Sequence, residues 1–302
     1  MMSKLRLMMI LTGIACCQGF ALFADEASTQ SEPMPLAGGA WASREIDVLP
    51  SWRVGTGSAT LLRPAIRPDE VGSHELIVHF HGAVDAVRRA MERDCGGETV
   101  LLVTMPGLSA AYSQPFRDDP ALFESLLGAA WDRSSTFTDS QVPSDWERIT
   151  LSSFSAGYGA IREILRSPAA GRIDAIVAAD SIYAGLDAAA GERRVSEADM
   201  AGFLAFARRA VTGSKVFVIA HSAQPTPYAS TTETADYLLA KLRLRRGDAA
   251  AGTDPEFMLV SRCERGGFLV TGYAGESAAA HLHHLRIIDR HWADARRLAG
   301  RP

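Results

Sequence analysis

Apolar positions along this chain fall into two alternating registers. Short continuous runs rich in Val, Ile, Leu and Phe read as buried strands: ELIVHF (75–80), TVLLVTM (99–105), RITLSSF (148–154), IDAIVAA (173–179) and KVFVIA (215–220). Between them the apolar spacing widens to the helical period in AVDAVRRAMERD (83–94), ALFESLLGAAW (121–131), AIREILRS (160–167), AGFLAFARRAV (201–211) and ADYLLAKLRLR (235–245). Ser230 with Glu233 three residues later fits a capping box opening the last of these. A β-like region precedes the alternation at SWRVGTGSATLLRP (51–64). Paired late strands EFMLVSR (256–262) and GFLVTGY (267–273) follow it, and AAHLHHLRIIDRHWADARRL (279–298) reads as one closing helix. Strands alternating with helices predict an α/β fold, a mainly parallel sheet with helices on both faces.

The first forty residues do not share this pattern. Lys4 and Arg6 precede the apolar stretch LMMILTGIACC and then FALFA, so residues 1–24 read as an export signal, lipoprotein-type if Cys16 is the modified residue. Residues 25–40, rich in Ser, Pro, Ala and Gly, read as a flexible tether, leaving 41–302 as a single domain. The expected location is outside the cytoplasm, periplasmic or secreted, with membrane contact only if the N-terminal segment is lipidated or retained. Cys95 and Cys263 are the cysteines that could pair there.

Composition narrows the function classes. With 302 residues and 47% hydrophobic positions the chain can bury a large core, which excludes a disordered or fibrous protein. A net charge of -4 without a long basic tract argues against a nucleic-acid partner. No histidine or cysteine spacing marks a metal site, and no cofactor motif is present, so the expected partner is a small-molecule acyl substrate.

The chemistry concentrates in Ser153-Phe154-Ser155-Ala156-Gly157-Tyr158-Gly159, where an apolar strand runs through small residues directly into a helix. That is what a nucleophile elbow requires: a sharp turn that presents Ser155, with neighbours small enough for strand and helix to approach. The alternative is that Ser155 merely caps the helix. The upstream His79-Phe80-His81-Gly82 loop adds weight to catalysis, because backbone N–H groups of Gly82 or Ala83 can face that of Ala156 as an oxyanion hole. A serine nucleophile needs a base and an acid. Asp180 ends a strand at the same sheet edge, and His281 and His284, three apart on the closing helix, are the candidate bases, with His281 preferred. His81, Tyr112, Tyr158, Tyr183 and His221 are the candidate pocket residues, and segments 108–145 and 181–212 could cap the crevice.

Taken together, HFHG, SxSAGYG, strand-end Asp180 and the late histidines resemble the α/β-hydrolase superfamily over residues 72–297. The resemblance implies the α/β-hydrolase fold and a Ser–Asp–His acyl hydrolase of the serine esterase or lipase kind. It departs from the family pattern at two points: serine at 153 where glycine is usual, and an acid one strand earlier than usual. Carboxylic ester hydrolysis is the expected reaction. An amidase or peptidase with the same triad, or an exported binding protein on a degenerate hydrolase scaffold, are the alternatives.

Overall fold

Buried β-branched and aromatic runs pair side by side, as their apolar continuity requires. The computed structural model describes residues 45–65, 74–94, 96–134, 145–187 and 193–300; the expected signal (1–24) and tether (25–40) lie outside them, as does Cys95. Contacts divide the chain into Met1–Trp41 and Ala42–Pro302, and the described residues all belong to the second unit. Its strands are β1 (Ile46–Val48), β2 (Trp52–Val54), β3 (Gly57–Pro64), β4 (Glu75–Phe80), β5 (Thr99–Thr104), β6 (Arg148–Phe154), β7 (Ala175–Ala179), β8 (Val216–His221), β9 (Gly247–Ala251), β10 (Leu259–Arg265) and β11 (Phe268–Tyr273).

Among the described residues they form one sheet in the order β1-β3-β5-β4-β6-β7-β8-β11-β10-β9, with β2 paired to β3. Strands β5, β4, β6, β7, β8 and β11 run parallel, and antiparallel pairs close both edges. Parallel strands need both faces covered. Helices α2 (Ser109–Asp118), α3 (Leu122–Ser134), α4 (Tyr158–Ile164), α5 (Glu197–Val211) and α6 (Thr231–Leu242) bury their apolar sides in one core with Phe80, Leu151 and Phe217. On the opposite face α1 (Val84–Arg93) and α8 (Ile288–Leu298) pack Val87, Met91, Ile288 and Trp292 against Val100, Val177 and Val218. The capping box at α6 is present: Ser230 Oγ accepts the N–H of Glu233 at 3.2 Å and Glu233 Oε2 accepts that of Ser230 at 2.8 Å.

Three expectations change. The closing helix is two helices, α7 (Ala278–Arg286) and α8, because Ile287 leaves helical geometry at φ -108°, ψ 23°. The break lets α7 bury His281 and His284 while α8 turns Ile288, Trp292 and Ala295 into the core. The segment after β5 contains an unforeseen helix, α2, which carries Pro115 in its interior and packs on α4. The stretch 181–212 is not a cap throughout, since α5 lies against β8 and α6 as a covering helix of the sheet. Cys263 is a free, buried cysteine on β10.

Candidate active site

Four non-glycine residues at the carboxyl edge of the parallel strands have left-handed backbone: His81 (φ 74°), Ser155 (49°), Asp180 (42°) and Ile182 (81°). Each such residue costs on the order of 1–3 kcal/mol, and persists only where its surroundings hold it. They follow the ends of β4, β6 and β7, which are adjacent in the sheet. The strain therefore gathers at the edge where loops of an open α/β sheet form a functional crevice.

Ser155 sits on the turn between β6 and α4, half-buried, and opens the short 3₁₀ turn Ser155–Gly157. Gly157 is required there: a Cβ would run into the carbonyl oxygen of Phe80 at the end of β4. The N–H of Ala156 lies in the first turn, where no intrahelical acceptor exists. After β4 the loop passes through Gly82 at φ 147°, a conformation open to glycine, to Ala83, the N-cap residue of α1.

Asp180 is fully buried after β7 and its carboxylate collects four hydrogen bonds. Oδ2 accepts from Ser222 Oγ at 2.6 Å and pairs with His281 Nδ1 at 2.7 Å; Oδ1 accepts from the Ser222 N–H at 3.0 Å and from Thr231 Oγ1 at 2.6 Å. Burial pushes the carboxyl pKa up, but the bond from His281, the nearby histidines and Ser222 outweigh it and hold it well below the usual range. Ionised Asp180 fixes the His281 proton on Nδ1, which leaves Nε2 with its lone pair. The His281 ring lies 4.6 Å from that of Phe154, the residue before Ser155. Among the described residues no hydrogen bond joins the Ser155 hydroxyl to His281; such contacts often tighten only around substrate.

His284, the other candidate base, faces elsewhere. Its Nδ1 lies 3.5 Å from Nε2 of His291, the two rings stack at 5.6 Å, and burial pushes its pKa down to about 3. Of the expected pocket residues, Tyr112 is completely buried: its hydroxyl takes the Met105 N–H at 2.9 Å and bonds His81 Nδ1 at 2.8 Å, so it anchors the β4 loop rather than forming a wall. His81, half-buried, stacks on Phe154 at 5.9 Å; burial, then the neighbouring His281, lower its pKa to about 4. His221 is no pocket wall either. Its Nδ1 donates to the Ser222 carbonyl, Nε2 accepts from Arg246 at 2.6 Å, and its ring packs on Gly272 of β11. Tyr158 and Tyr183 lie at the edge with ring centroids 5.6 Å apart, and Tyr183 meets exposed Tyr228 at 5.4 Å.

Sequence reasoning overlooked the residues that hold the acid. Ser222 directly follows β8 one strand over, and Thr231 opens α6 within the very capping box read from the sequence, yet no local pattern announces that either hydroxyl turns to Asp180. It also overlooked Ser181, whose hydroxyl donates to the Ser155 carbonyl at 2.9 Å.

No protein-family model matches the chain, and no curated protein matches it. Among solved structures it is similar to a serine hydrolase without a lid from Xanthomonas campestris (13% identity over 85% of this chain and 94% of that one, TM-score 0.43). It is also similar to a poly(3-hydroxybutyrate) depolymerase from Bordetella parapertussis (14%, 85% and 95%, TM-score 0.44) and an S-formylglutathione hydrolase from Agrobacterium tumefaciens (14%, 87% and 99%, TM-score 0.46). At such scores these are likenesses only; the strand order carries the assignment. A sheet of this order, parallel through its centre, covered by helices on both faces and turning sharply from strand to helix at Ser155, has the α/β-hydrolase fold.

Proposed function

We propose that the protein is a serine hydrolase that cleaves a carboxylic ester of a small-molecule substrate through an acyl-enzyme. One observation carries this reading: Ser155 on a strained strand-to-helix turn shares the sheet edge with a buried Asp180–His281 pair whose bond is 2.7 Å. Ser155 Oγ attacks the ester carbonyl while His281 Nε2 takes its proton. The negative charge that develops on the carbonyl oxygen is met by the N–H of Ala156 and by that of Gly82 or Ala83. His281 then protonates the leaving alcohol, Asp180 stabilising the imidazolium, and water attacks the acyl-enzyme by the same route in reverse. Tyr158 and Tyr183, beside the nucleophile and the acid, border the acyl or alcohol group. Export belongs to the same proposal, on the basic and then apolar start of residues 1–24.

The test is covalent labelling with a fluorophosphonate followed by peptide mass mapping. The expected adduct is on Ser155, absent in Ser155→Ala and in the parent unfolded before labelling. A folded parent that takes no adduct at Ser155 would sink the proposal.

A further inference from the structure

Where the superfamily pattern has glycine, two residues before the nucleophile, this chain has Ser153, completely buried. Its hydroxyl has a defined task. Ser153 Oγ donates to Ser181 Oγ at 2.9 Å, and Ser181 Oγ donates to the carbonyl oxygen of Ser155 at 2.9 Å. Ser181 is also completely buried and directly follows Asp180. The two hydroxyls thus run from strand β6 to the acid's turn and back to the nucleophile's backbone.

The sheet cannot do this itself. Strands β6 and β7 pair up to Phe154 with Ala179, and at the next residue each strand turns out of the sheet with left-handed φ, at Ser155 and Asp180. Beyond that last pair no ladder bond sets the nucleophile's turn relative to the acid's. A glycine at 153 would leave Ser181 Oγ without this donor, and an alanine at 181 would leave the Ser155 carbonyl without its acceptor role filled from this side.

We propose that Ser153 and Ser181 are positioning residues that lock the Ser155 turn to the Asp180 turn, so that the nucleophile and the Ala156 N–H stay in register with His281. The inference rests on the acyl-transfer reading above. Neither hydroxyl touches substrate, so the effect falls on turnover and not on binding. A displacement approaching 1 Å between nucleophile and base costs up to about a hundredfold in rate, and partial release of the lock costs about tenfold.

The experiment is hydrolysis of p-nitrophenyl butyrate by the parent, Ser153→Ala, Ser181→Ala and the double variant. Turnover is counted per site titrated with the fluorophosphonate, and melting temperatures are read alongside. Ser181→Ala is expected to lower kcat per titrated site about tenfold with KM within twofold and the shape of the pH profile unchanged. Ser153→Ala lowers it less, and the double variant matches Ser181→Ala, because the two hydroxyls act in series. A merely structural role would lower the melting temperature and the titratable fraction while leaving kcat per site within twofold of the parent. That result, or losses that add in the double variant, overturns the inference with the hydrolase reading intact. A folded parent that neither labels nor turns over overturns both.

Discussion

At the scale of single residues, the site is organised around a carboxylate that would be untenable alone. Asp180 has no solvent contact, and burying an unpaired charge costs several kcal/mol. Two hydroxyls, one backbone N–H and an imidazole offset that cost, and they leave each oxygen with two donors. Asp180→Asn keeps the shape but presents an amide where His281 Nδ1–H needs an acceptor, so the imidazole loses its productive tautomer. Hydrolysis by the folded variant is expected to fall by about 10³–10⁴. Thr231→Val removes one donor from Oδ1 and leaves the His281 bond in place, so a much smaller loss, roughly tenfold, is expected together with about 1–3 kcal/mol of stability. Steady-state rates and chemical denaturation of the two variants check this; equal rates would show that Asp180 does not orient the base. The position of Ser155, Asp180 and the His81–Gly82 loop at one sheet edge was legible from the sequence because each follows directly on a strand end, where chain order implies place. Ser222 and Thr231 were not, because their task depends on which side chains cross from neighbouring elements, and that follows only from the assembled sheet.

At the scale of elements, the continuous apolar runs announced β4 to β8 because strands buried on both faces tolerate few polar residues. What stayed hidden has physical causes. Helix α2 carries proline at its seventh residue and little apolar periodicity, so its formation depends on packing against α4, not on propensity. The division of the last helix at Ile287 is invisible in a pattern that stays helical on both sides, yet it decides that His281 faces Asp180 while Trp292 Nε1 bonds Ser152 Oγ under the elbow at 2.9 Å. Elements approach closely at Gly157, where α4 begins against the end of β4. Gly157→Ala must push the elbow away from the β4 loop, since the obstacle is the Phe80 backbone and not a flexible side chain. The expected cost is about 3 kcal/mol or more of stability, with loss of fluorophosphonate labelling in whatever remains folded. Gly128→Ala, at a helix position where a Cβ meets nothing within 4 Å, serves as the control and is expected to be neutral or slightly stabilising. Equal melting curves for the two variants would contradict the close approach.

At the scale of the whole molecule, buried histidines outside the proposed triad govern how the fold answers to acid. His79, His221 and His284 are buried and held neutral: burial lowers them to about 3, 4 and 3, and it holds buried His291 well below its ordinary value. In the unfolded chain the same groups titrate near 6.5. Below that pH the unfolded chain therefore binds protons that the folded chain refuses, so stability falls as pH falls from about 6.5 towards 4. Asp180 acts in the same direction, because its carboxyl pKa is depressed in the fold and its contribution disappears as pH drops through the acid range. Each refused proton adds about 1.4 kcal/mol per pH unit, so the slope steepens with every one of these histidines that stays neutral in the fold. Denaturant unfolding followed from pH 8 to pH 4.5 should show a plateau above pH 7 and a steep decline below pH 6. In His284→Phe, which keeps a stacked ring against His291 but cannot take a proton, the decline should be shallower by one proton. A stability that stays level between pH 7 and pH 5 would mean that these histidines are protonated within the fold, and the neutral packing of the α7–α8 face against the sheet would then be wrong.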